Sequence, residues 1–328
     1  MNAHSAHGHA QAPGHGRHGT GQGQHGTGHG HGHGHGHGHG HDHATDLDWE
    51  VMGTQLETGA ELQLPELHRT AARLRERLTA SGTDVRRILD VGSGPGVMTC
   101  VLAEAFPDAE VVAVDGTPAL LERTLARAER LGLGGRVSVR HADLPEGLGA
   151  LEAADLIWSS RTVHHLGDQQ AALTALAAAL RPGGLLAVAE AGLPMRFLPR
   201  DIGIGRPGLQ ARLDAVLEHW FEVMRTELPG STAVVEDWPA MLRRAGLTGV
   251  GAATSLLDLP APLGEEGRAF VHAQLTRLRE VAADLLDAED RATLDVLLDP
   301  AAPDGLLRRP DVFLLSAGTV FTGVRDAR

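Results

Sequence analysis

The 328-residue chain contains no lysine and no tyrosine, and it has only one cysteine. All 29 basic residues are therefore arginines, which excludes a lysine Schiff base. Cys100 lies in an apolar stretch, which favours a packed side chain over a nucleophile or a disulfide partner. No apolar run approaches the length of a membrane span, and the chain begins with polar residues. We therefore expect a cytoplasmic protein with no membrane partner.

The charge of the chain is concentrated outside its first segment. The formal net charge is −13 with histidine neutral, and residues 1–45 contribute only Arg17 and Asp42. The remaining body therefore carries the whole acidic excess. An acidic body of this kind argues against nucleic acid as a partner.

Histidine is concentrated at the start of the chain, where 14 of the 20 histidines lie in residues 1–43. Residues 29–41 alternate strictly between His and Gly and have almost no apolar surface to bury. This composition predicts a disordered tail over 1–45. Imidazoles at this spacing can bind nickel, zinc, copper or cobalt with loose geometry. The candidate metal ligands are His29, His31, His33, His35, His37, His39, His41 and His43.

Strand and helix patterns alternate through the middle of the chain, which predicts a doubly wound, mostly parallel sheet with helices on both faces. Helices are expected in 46–85, before the sheet. The predicted core at 86–192 contains five strands, at 87–91, 110–115, 136–141, 154–159 and 185–190. Residues 193–235 interrupt the alternation and predict a cap insertion. Residues 236–328 complete the sheet with strands at about 248–257 and 312–324, around a helical insertion at 265–298.

Local signals mark several ends of these elements. Thr117 before Pro118 predicts a capping hydroxyl at the start of a helix, and Asp168 predicts another cap. The sequence RPGG at 181–184 predicts a break between a helix and the fifth strand.

The most informative segment is ILDVGSGPGVMT at 88–99, because it combines an apolar strand, a glycine turn and the start of a helix. This order is typical of a nucleotide-cofactor loop. Val97 stands where a dinucleotide fingerprint has its third glycine. Asp90 would repel a diphosphate but favour a cofactor with an ammonium and a sulfonium group. A nicotinamide-dependent oxidoreductase is therefore disfavoured.

Together with the acids after the next two strands and the RPGG sequence, this segment resembles the class I S-adenosylmethionine-dependent methyltransferases of the small-molecule type. The resemblance covers roughly 100 residues. It implies a Rossmann-like, seven-stranded sheet whose last strand is antiparallel and lies at or near one edge. It also implies S-adenosyl-L-methionine as cofactor and methyl transfer to oxygen, nitrogen or carbon of a small-molecule acceptor.

The resemblance also implies a set of cofactor-binding residues, most of them just after the strands. The glycines let the backbone approach the cofactor, and the next helix presents free amides to its carboxylate. Asp115 would accept hydrogen bonds from the ribose hydroxyls, Asp143 would receive the adenine amino group, and Leu144 would stack beside the ring. The full set is Asp90, Gly92, Ser93, Gly94, Gly96, Asp115, Gly116, Asp143, Leu144 and Ser160.

Methyl transfer from a sulfonium is an in-line displacement, and a protonated acceptor must also lose its proton to a general base. His164 and His165 follow the fourth strand and Glu190 ends the fifth, so these three are the candidate catalytic residues. His219 and Asp237 are more remote candidates. A helix-start or packing role for the His-His-Leu sequence stays open. The alternative function is a metal store or sensor that acts through the tail, with a secondary or inactive nucleotide fold.

Overall fold

Seven strands form one sheet in residues 49–327, which are the residues that the computed structural model describes. The strands are β1 (Arg87–Val91), β2 (Glu110–Asp115), β3 (Val137–His141), β4 (Ala154–Ser160), β5 (Leu180–Arg196), β6 (Leu247–Leu259) and β7 (Leu314–Arg325). Their order is β3-β2-β1-β4-β5-β7-β6. The first five strands pair in parallel, and β7 pairs antiparallel with both β5 and β6. The predicted Rossmann-like sheet is confirmed, with its last strand one place from the edge.

The helices are α1 (Trp49–Glu61), α2 (Leu64–Ala80), α3 (Val97–Ala105), α4 (Pro118–Arg130), α5 (Gln169–Ala178), α6 (Leu209–Glu227), α7 (Trp238–Arg244), α8 (Glu265–Val281) and α9 (Ala288–Leu298). None of the helices in the described residues is long and apolar enough to cross a membrane. The tail with the eight predicted metal ligands lies outside the described residues. Within 49–327, no group of three or more His, Cys, Asp or Glu side chains has the geometry of a metal site.

Alternate side chains of the strands pack on opposite faces of the sheet. Ile157 packs with residues of α5 and α7, whereas its neighbours Leu156 and Trp158 pack with residues of α2 and α3. This period of two is what a strand requires when both faces are covered. Cys100 belongs to the second cluster and is 2% exposed, and burial raises the pKa of its thiol to about 11. The prediction of a packed cysteine is confirmed.

A third apolar cluster joins the two segments that the sequence presents as separate insertions. Leu213 of α6 packs with Val271 and Leu275 of α8 and with Leu294 of α9. All four side chains are at most 1% exposed. The segments before β6 and before β7 therefore form one helical layer with a shared core.

The structure differs from the sequence predictions in two local places. The predicted break at RPGG is absent, because β5 begins at Leu180 and runs through these residues. The strand accommodates them by a register shift opposite Ala154 and Leu156. β5 also continues to Arg196, so residues 193–196 of the predicted cap belong to the sheet.

The two predicted helix caps have different outcomes. Thr117 makes no side-chain capping bond at α4, and its amide instead donates to Asp115 Oδ1 at 2.9 Å. The predicted hydroxyl cap is therefore wrong, and the Asp115 carboxylate pairs with the Thr117 amide rather than with an amide of the first helical turn. The cap at Asp168 is confirmed, because its side chain accepts from the Ala171 amide at 2.8 Å.

Candidate cofactor and acceptor site

The glycine turn after β1 has three glycines in the left-handed region, with φ of +72° at Gly92, +54° at Gly94 and +75° at Gly96. A Cβ atom at Gly92 would collide with the Thr162 side chain, and one at Gly96 would collide with Thr124. A Cβ atom at Gly94 would meet nothing within 4 Å. Packing therefore requires the outer two glycines, while Gly94 borders open space where a ligand can approach the backbone.

Polar groups around this turn suit a ligand with many hydrogen-bonding atoms. Ser93 Oγ is buried and has no hydrogen-bond partner in the described part of the chain. Asp115 Oδ2 accepts a hydrogen bond from the Gly94 amide at 2.9 Å, which fixes the carboxylate beside the turn. α3 begins at Val97, so its first amides have no acceptor within the helix. An unpaired hydroxyl, an acid and free amides fit a cofactor that carries hydroxyl, amine and carboxylate groups.

Asp90 lies beneath the turn, and only 1% of the residue is exposed. Its Oδ2 accepts a hydrogen bond from Thr99 Oγ1 at 2.6 Å. Burial raises the pKa of Asp90 to about 7, the charge of Asp115 raises it further, and the Thr99 hydrogen bond opposes the shift. Because so little of Asp90 reaches the surface, the residue offers little direct contact to a ligand at the turn.

The remaining residues of the predicted cofactor set lie after β2, β3 and β4. A Cβ atom at Gly116 would lie 3.4 Å from Asp143 Oδ1, so the ends of β2 and β3 face each other. The Asp143 side chain is 80% exposed, and Leu144 is half-buried against the core. Ser160 is half-buried at the end of β4, where its carbonyl accepts from Thr162 Oγ1 at 3.0 Å. All of these residues border the carboxyl ends of parallel strands, where ligands bind in doubly wound sheets.

The three candidate catalytic residues form one connected group, which we call the Glu190 relay (Glu190, His164 and His165). Glu190 Oε1 accepts from the amides of Thr162 at 2.8 Å and Val163 at 2.7 Å. Glu190 Oε2 lies 2.6 Å from His164 Nδ1, and its side chain is 0% exposed. His164 Nε2 in turn lies 3.0 Å from His165 Nε2. Glu190 therefore anchors the short 3-10 helix at Val163–His165 and orients its first imidazole.

His165 is the outermost member of this group. Desolvation lowers the pKa of His165 to about 4, and the charges of His164, Arg225 and Arg277 lower it further, against the opposing charge of Glu190. The residue is nevertheless exposed. His165 therefore lies at the surface, just after the end of β4. Its imidazole is neutral at pH 7.

Helix α6 packs over the same loop. Arg225 Nη1 donates to the carbonyls of His164 and Leu166, both at 2.7 Å, and Nη2 donates to Gly167 at 3.3 Å. The Phe221 ring centroid lies 5.5 Å from that of His164. The predicted cap thus holds the 3-10 helix through a guanidinium and an aromatic ring.

The two remote candidates have other partners. His219 is exposed and lies 3.7 Å from Glu222 on the same helix, α6. Asp237 Oδ1 accepts from the Ala240 amide at 3.0 Å and caps α7.

Sequence reasoning missed three arginines near the Glu190 relay: Arg161, Arg225 and Arg277. Arg161 adjoins Ser160, one of the predicted cofactor-binding residues, so its position in the sequence could have identified it. Arg225 and Arg277 lie on amphipathic helices 60 or more residues further along the chain, where nothing local distinguishes them from surface arginines.

The sheet order, the glycine turn after β1 and the acids after β2 and β3 define an enzyme of the Rossmann-like class with a nucleoside cofactor. A family model described as a methyltransferase domain matches residues 88–184. A trans-aconitate 2-methyltransferase of Methylobacterium radiotolerans is 32% identical over 271 residues, which cover 76% of this chain and 93% of that protein. The chain therefore belongs to the class I S-adenosylmethionine-dependent methyltransferases, and it transfers a methyl group from that cofactor to a small-molecule acceptor.

Two further similarities have lower sequence identity. A 27-O-demethylrifamycin SV methyltransferase of Amycolatopsis mediterranei is 30% identical over 163 residues, which cover 49% of this chain and 53% of that protein. A solved methyltransferase of Thiobacillus denitrificans, in complex with S-adenosyl-L-homocysteine, is 18% identical with a TM-score of 0.42 and covers 78% of this chain and 90% of that one.

Proposed function

We propose that this enzyme methylates a carboxylate oxygen of a small polycarboxylic acid, with trans-aconitate as the reference acceptor. The similarity to a trans-aconitate 2-methyltransferase over 93% of that protein's length supports this choice. That similarity is the observation that carries the proposal, and the low pKa of His165 agrees with it. A hydroxyl acceptor must lose a proton, and an imidazole with a pKa of about 4 accepts that proton poorly. A carboxylic acid is already ionised at neutral pH and needs no base.

When bound, S-adenosyl-L-methionine supplies an electrophilic methyl group, and its transfer to a carboxylate oxygen releases no proton. The protein then has to hold the acceptor in line and exclude water. Correct orientation alone contributes on the order of 7 to 11 kcal/mol in well-aligned reactions. The tasks of the chain are therefore binding and positioning.

In this proposal, each predicted cofactor residue binds the part of S-adenosyl-L-methionine that the sequence analysis assigned to it. Gly94 and the amides at the start of α3 face the amino-acid end of the cofactor, and Ser93 supplies a hydroxyl that has no partner in the described structure. Asp115 and Asp143 receive the ribose and the adenine. Asp90 favours the cationic end by its charge. The other predicted residues lie beside the same strand ends and border the bound cofactor: Gly92, Gly96, Gly116, Leu144 and Ser160.

We propose a positioning role for the Glu190 relay. His164 Nδ1–H donates to the Glu190 carboxylate, and one proton lies between His164 Nε2 and His165 Nε2. These two contacts hold the His165 ring in one orientation. A fixed neutral ring beside the acceptor defines the wall of the acceptor site without taking up a proton.

The test is product analysis with isotope-labelled cofactor and three acceptors: trans-aconitate, tricarballylate and a phenol. We expect a product one methyl group heavier from the acids, and we expect mild alkali to release its label, because esters hydrolyse under conditions that leave ethers intact. A product that keeps its label in alkali, or methylation of the phenol alone, would overturn the assignment to carboxylate oxygen.

A second activity is favoured by the strict His-Gly alternation at 29–41. We propose that His29 to His43 bind nickel, zinc, copper or cobalt, with loose geometry because glycine lets the chain fold around an ion. Each metal should be titrated into the full chain and into a variant that begins at Asp46. Equal uptake by the two proteins would refute a metal site on the tail.

The cytoplasmic location and the absence of a nucleic-acid partner stay predictions from composition. The division into a tail at 1–45 and a methyltransferase domain at 46–328 stays a proposal that the truncated variant also tests.

A further inference from the structure

A cavity of about 150 Å³ lies between α2 and the part of the sheet that β6 and β7 form. α2 lines it with Thr70, Arg73, Leu74 and Arg77. Residues at this spacing lie on one face of a helix, so the four side chains share the face that α2 turns toward the strands. The described residues around the cavity all lie outside the predicted cofactor and catalytic sets. The cavity is therefore separate from the site described above.

The strand side of the cavity is made of small and medium-sized residues. β6 contributes Gly251, Ala252 and Ala253, and β7 contributes Val320 and Thr322. Ala253 pairs with Val320 in the register, so these two apolar side chains lie next to each other on one face of the sheet. A cavity of about 150 Å³ with apolar walls is large enough for a benzene ring.

Arg77 reaches from α2 to the strands and contacts only uncharged partners there. Its Nη1 donates to Thr322 Oγ1 at 2.5 Å, and its Nη2 donates to the Gly249 carbonyl. A Cβ atom at Gly251 would lie 3.3 Å from Arg77 Nη1, so a glycine at this place leaves room for the guanidinium. These two bonds leave other N–H donors free, and Arg77 meets no carboxylate within the described residues.

Arg73 lies one turn earlier on α2 and is exposed. Within the described residues its guanidinium makes one hydrogen bond, from Nη1 to Ser255 Oγ at 3.2 Å, and no ion pair. By contrast, Arg69, a further turn earlier, pairs with Glu66. Arg73 thus carries a positive charge at the cavity wall that no acid of the described chain neutralises.

We propose that this cavity binds a small monocarboxylate with an apolar ring or chain, at a site separate from methyl transfer. The apolar part packs against Leu74, Val320 and Ala253, and the carboxylate accepts hydrogen bonds from the free N–H groups of Arg73. Guanidinium groups recognise carboxylates through paired, charge-assisted hydrogen bonds. An inorganic anion would leave the apolar walls in contact with water, which favours the organic acid.

The experiment is an NMR titration of the full-length enzyme with benzoate, in the presence of S-adenosyl-L-homocysteine so that no methyl transfer occurs. Arg73→Gln removes the charge, and Ala253→Leu fills the cavity while the charge stays. We expect the dissociation constant for benzoate to rise at least about tenfold in each variant, and less in Arg73→Lys. Benzamide, which has nearly the same shape without the charge, should bind the unmodified enzyme at least about tenfold more weakly than benzoate.

The matched control is Arg75→Gln, on the same helix. Arg75 is also exposed, but its Nη1 donates to the Ala105 carbonyl at 3.2 Å, at the end of α3, so its loss should leave benzoate binding unchanged. Affinity for S-adenosyl-L-homocysteine should change less than about twofold in every variant, which shows that each one is folded.

Benzoate binding that is absent, or that is as tight in Arg73→Gln and Ala253→Leu as in the unmodified enzyme, would overturn the proposal, because the acid would then bind elsewhere or not at all. Binding of sulfate as tight as that of benzoate would also overturn it, because the apolar walls would then contribute nothing. Neither result would affect the proposed function, which is tested by the chemistry of the methylated product.

Discussion

Glu190 offers the sharpest test of the site, because one buried carboxylate holds three groups. Its oxygens accept from the amides of Thr162 and Val163 and contact His164 Nδ1, and the side chain has no exposure to water. Hydrogen bonds to a charged group contribute about 1.5–3 kcal/mol each, against about 0.5–1.5 kcal/mol for neutral pairs. Glu190→Gln keeps the shape and weakens two backbone bonds, so we expect it to lower the free energy of unfolding by about 2 kcal/mol.

Glu190→Ala removes the acceptor altogether. Two buried amides then lose their partner, at about 1–3 kcal/mol each, and a small cavity remains. We expect a loss of about 4 kcal/mol, which is a large part of the 5–15 kcal/mol typical of a folded protein. The order of stability should therefore be the unmodified enzyme, then Gln, then Ala.

Glu190→Gln should also move the proton of the His164 imidazole from Nδ1 to Nε2. A glutamine amide donates where the carboxylate accepted, so His164 must accept at Nδ1 and carry its proton on Nε2. His165 then accepts at Nε2 and carries its proton on Nδ1. Nitrogen NMR of labelled histidine distinguishes these forms, and urea unfolding gives the stabilities.

The control for this series is Glu222→Gln. Glu222 also lies beside a histidine, His219, but its side chain is 77% exposed, so its loss should change stability by less than about 0.5 kcal/mol. Equal stability of Glu190→Gln, Glu190→Ala and Glu222→Gln would refute the reasoning, because it would mean that Glu190 does not hold the loop.

Three further predictions concern the cofactor side of the site. Gly92→Ala should unfold at lower urea concentration than Gly94→Ala, because only its Cβ collides with Thr162; comparable midpoints would contradict the packing. Asp90 has a pKa of about 7 in the folded chain, against an ordinary value of 3.8. The protein should therefore be most stable below pH 4, and its free energy of unfolding should fall by up to about 4 kcal/mol as the pH rises to 7. Asp90→Asn should lack this pH dependence when unfolding in urea is measured across the same range. The thiol of Cys100, buried and with a raised pKa, should react with a disulfide reagent only in denaturant, and rapid labelling of the native chain would disprove its burial.

The strands of the core were predictable because their signal is local. Strand β2 was predicted with the same bounds as in the structure, since apolar residues buried on both faces leave a continuous run between turns. The cap at Asp168 was predictable because its signal is also local: the side chain bonds an amide only three residues further along. Thr117 was not, because a sequence pattern does not decide whether a residue at this position turns its hydroxyl toward the free amides of the helix, and in the structure it makes no such bond.

The acceptor half of the site was predictable only in part. His164 and His165 follow the end of β4, and the parallel pairing of β4 with β5 brings Glu190, which lies within β5, beside them. Arg225 reaches the same loop from α6, a helix of the third apolar cluster, whose packing depends on contacts such as Leu213 with Val271. Long-range packing of this kind has no local sequence signature.

This division has a physical consequence for specificity. The cofactor side is built from backbone turns and strand ends of the sheet, where a change in one glycine collides with a neighbouring side chain. The proposed acceptor side is held from helix α6, where a substitution such as Arg225→Met removes three hydrogen bonds to the loop without moving the sheet. If that is so, acceptor binding should change through α6 while affinity for S-adenosyl-L-homocysteine stays constant, and a variant in which both changed together would show that the two halves share one support.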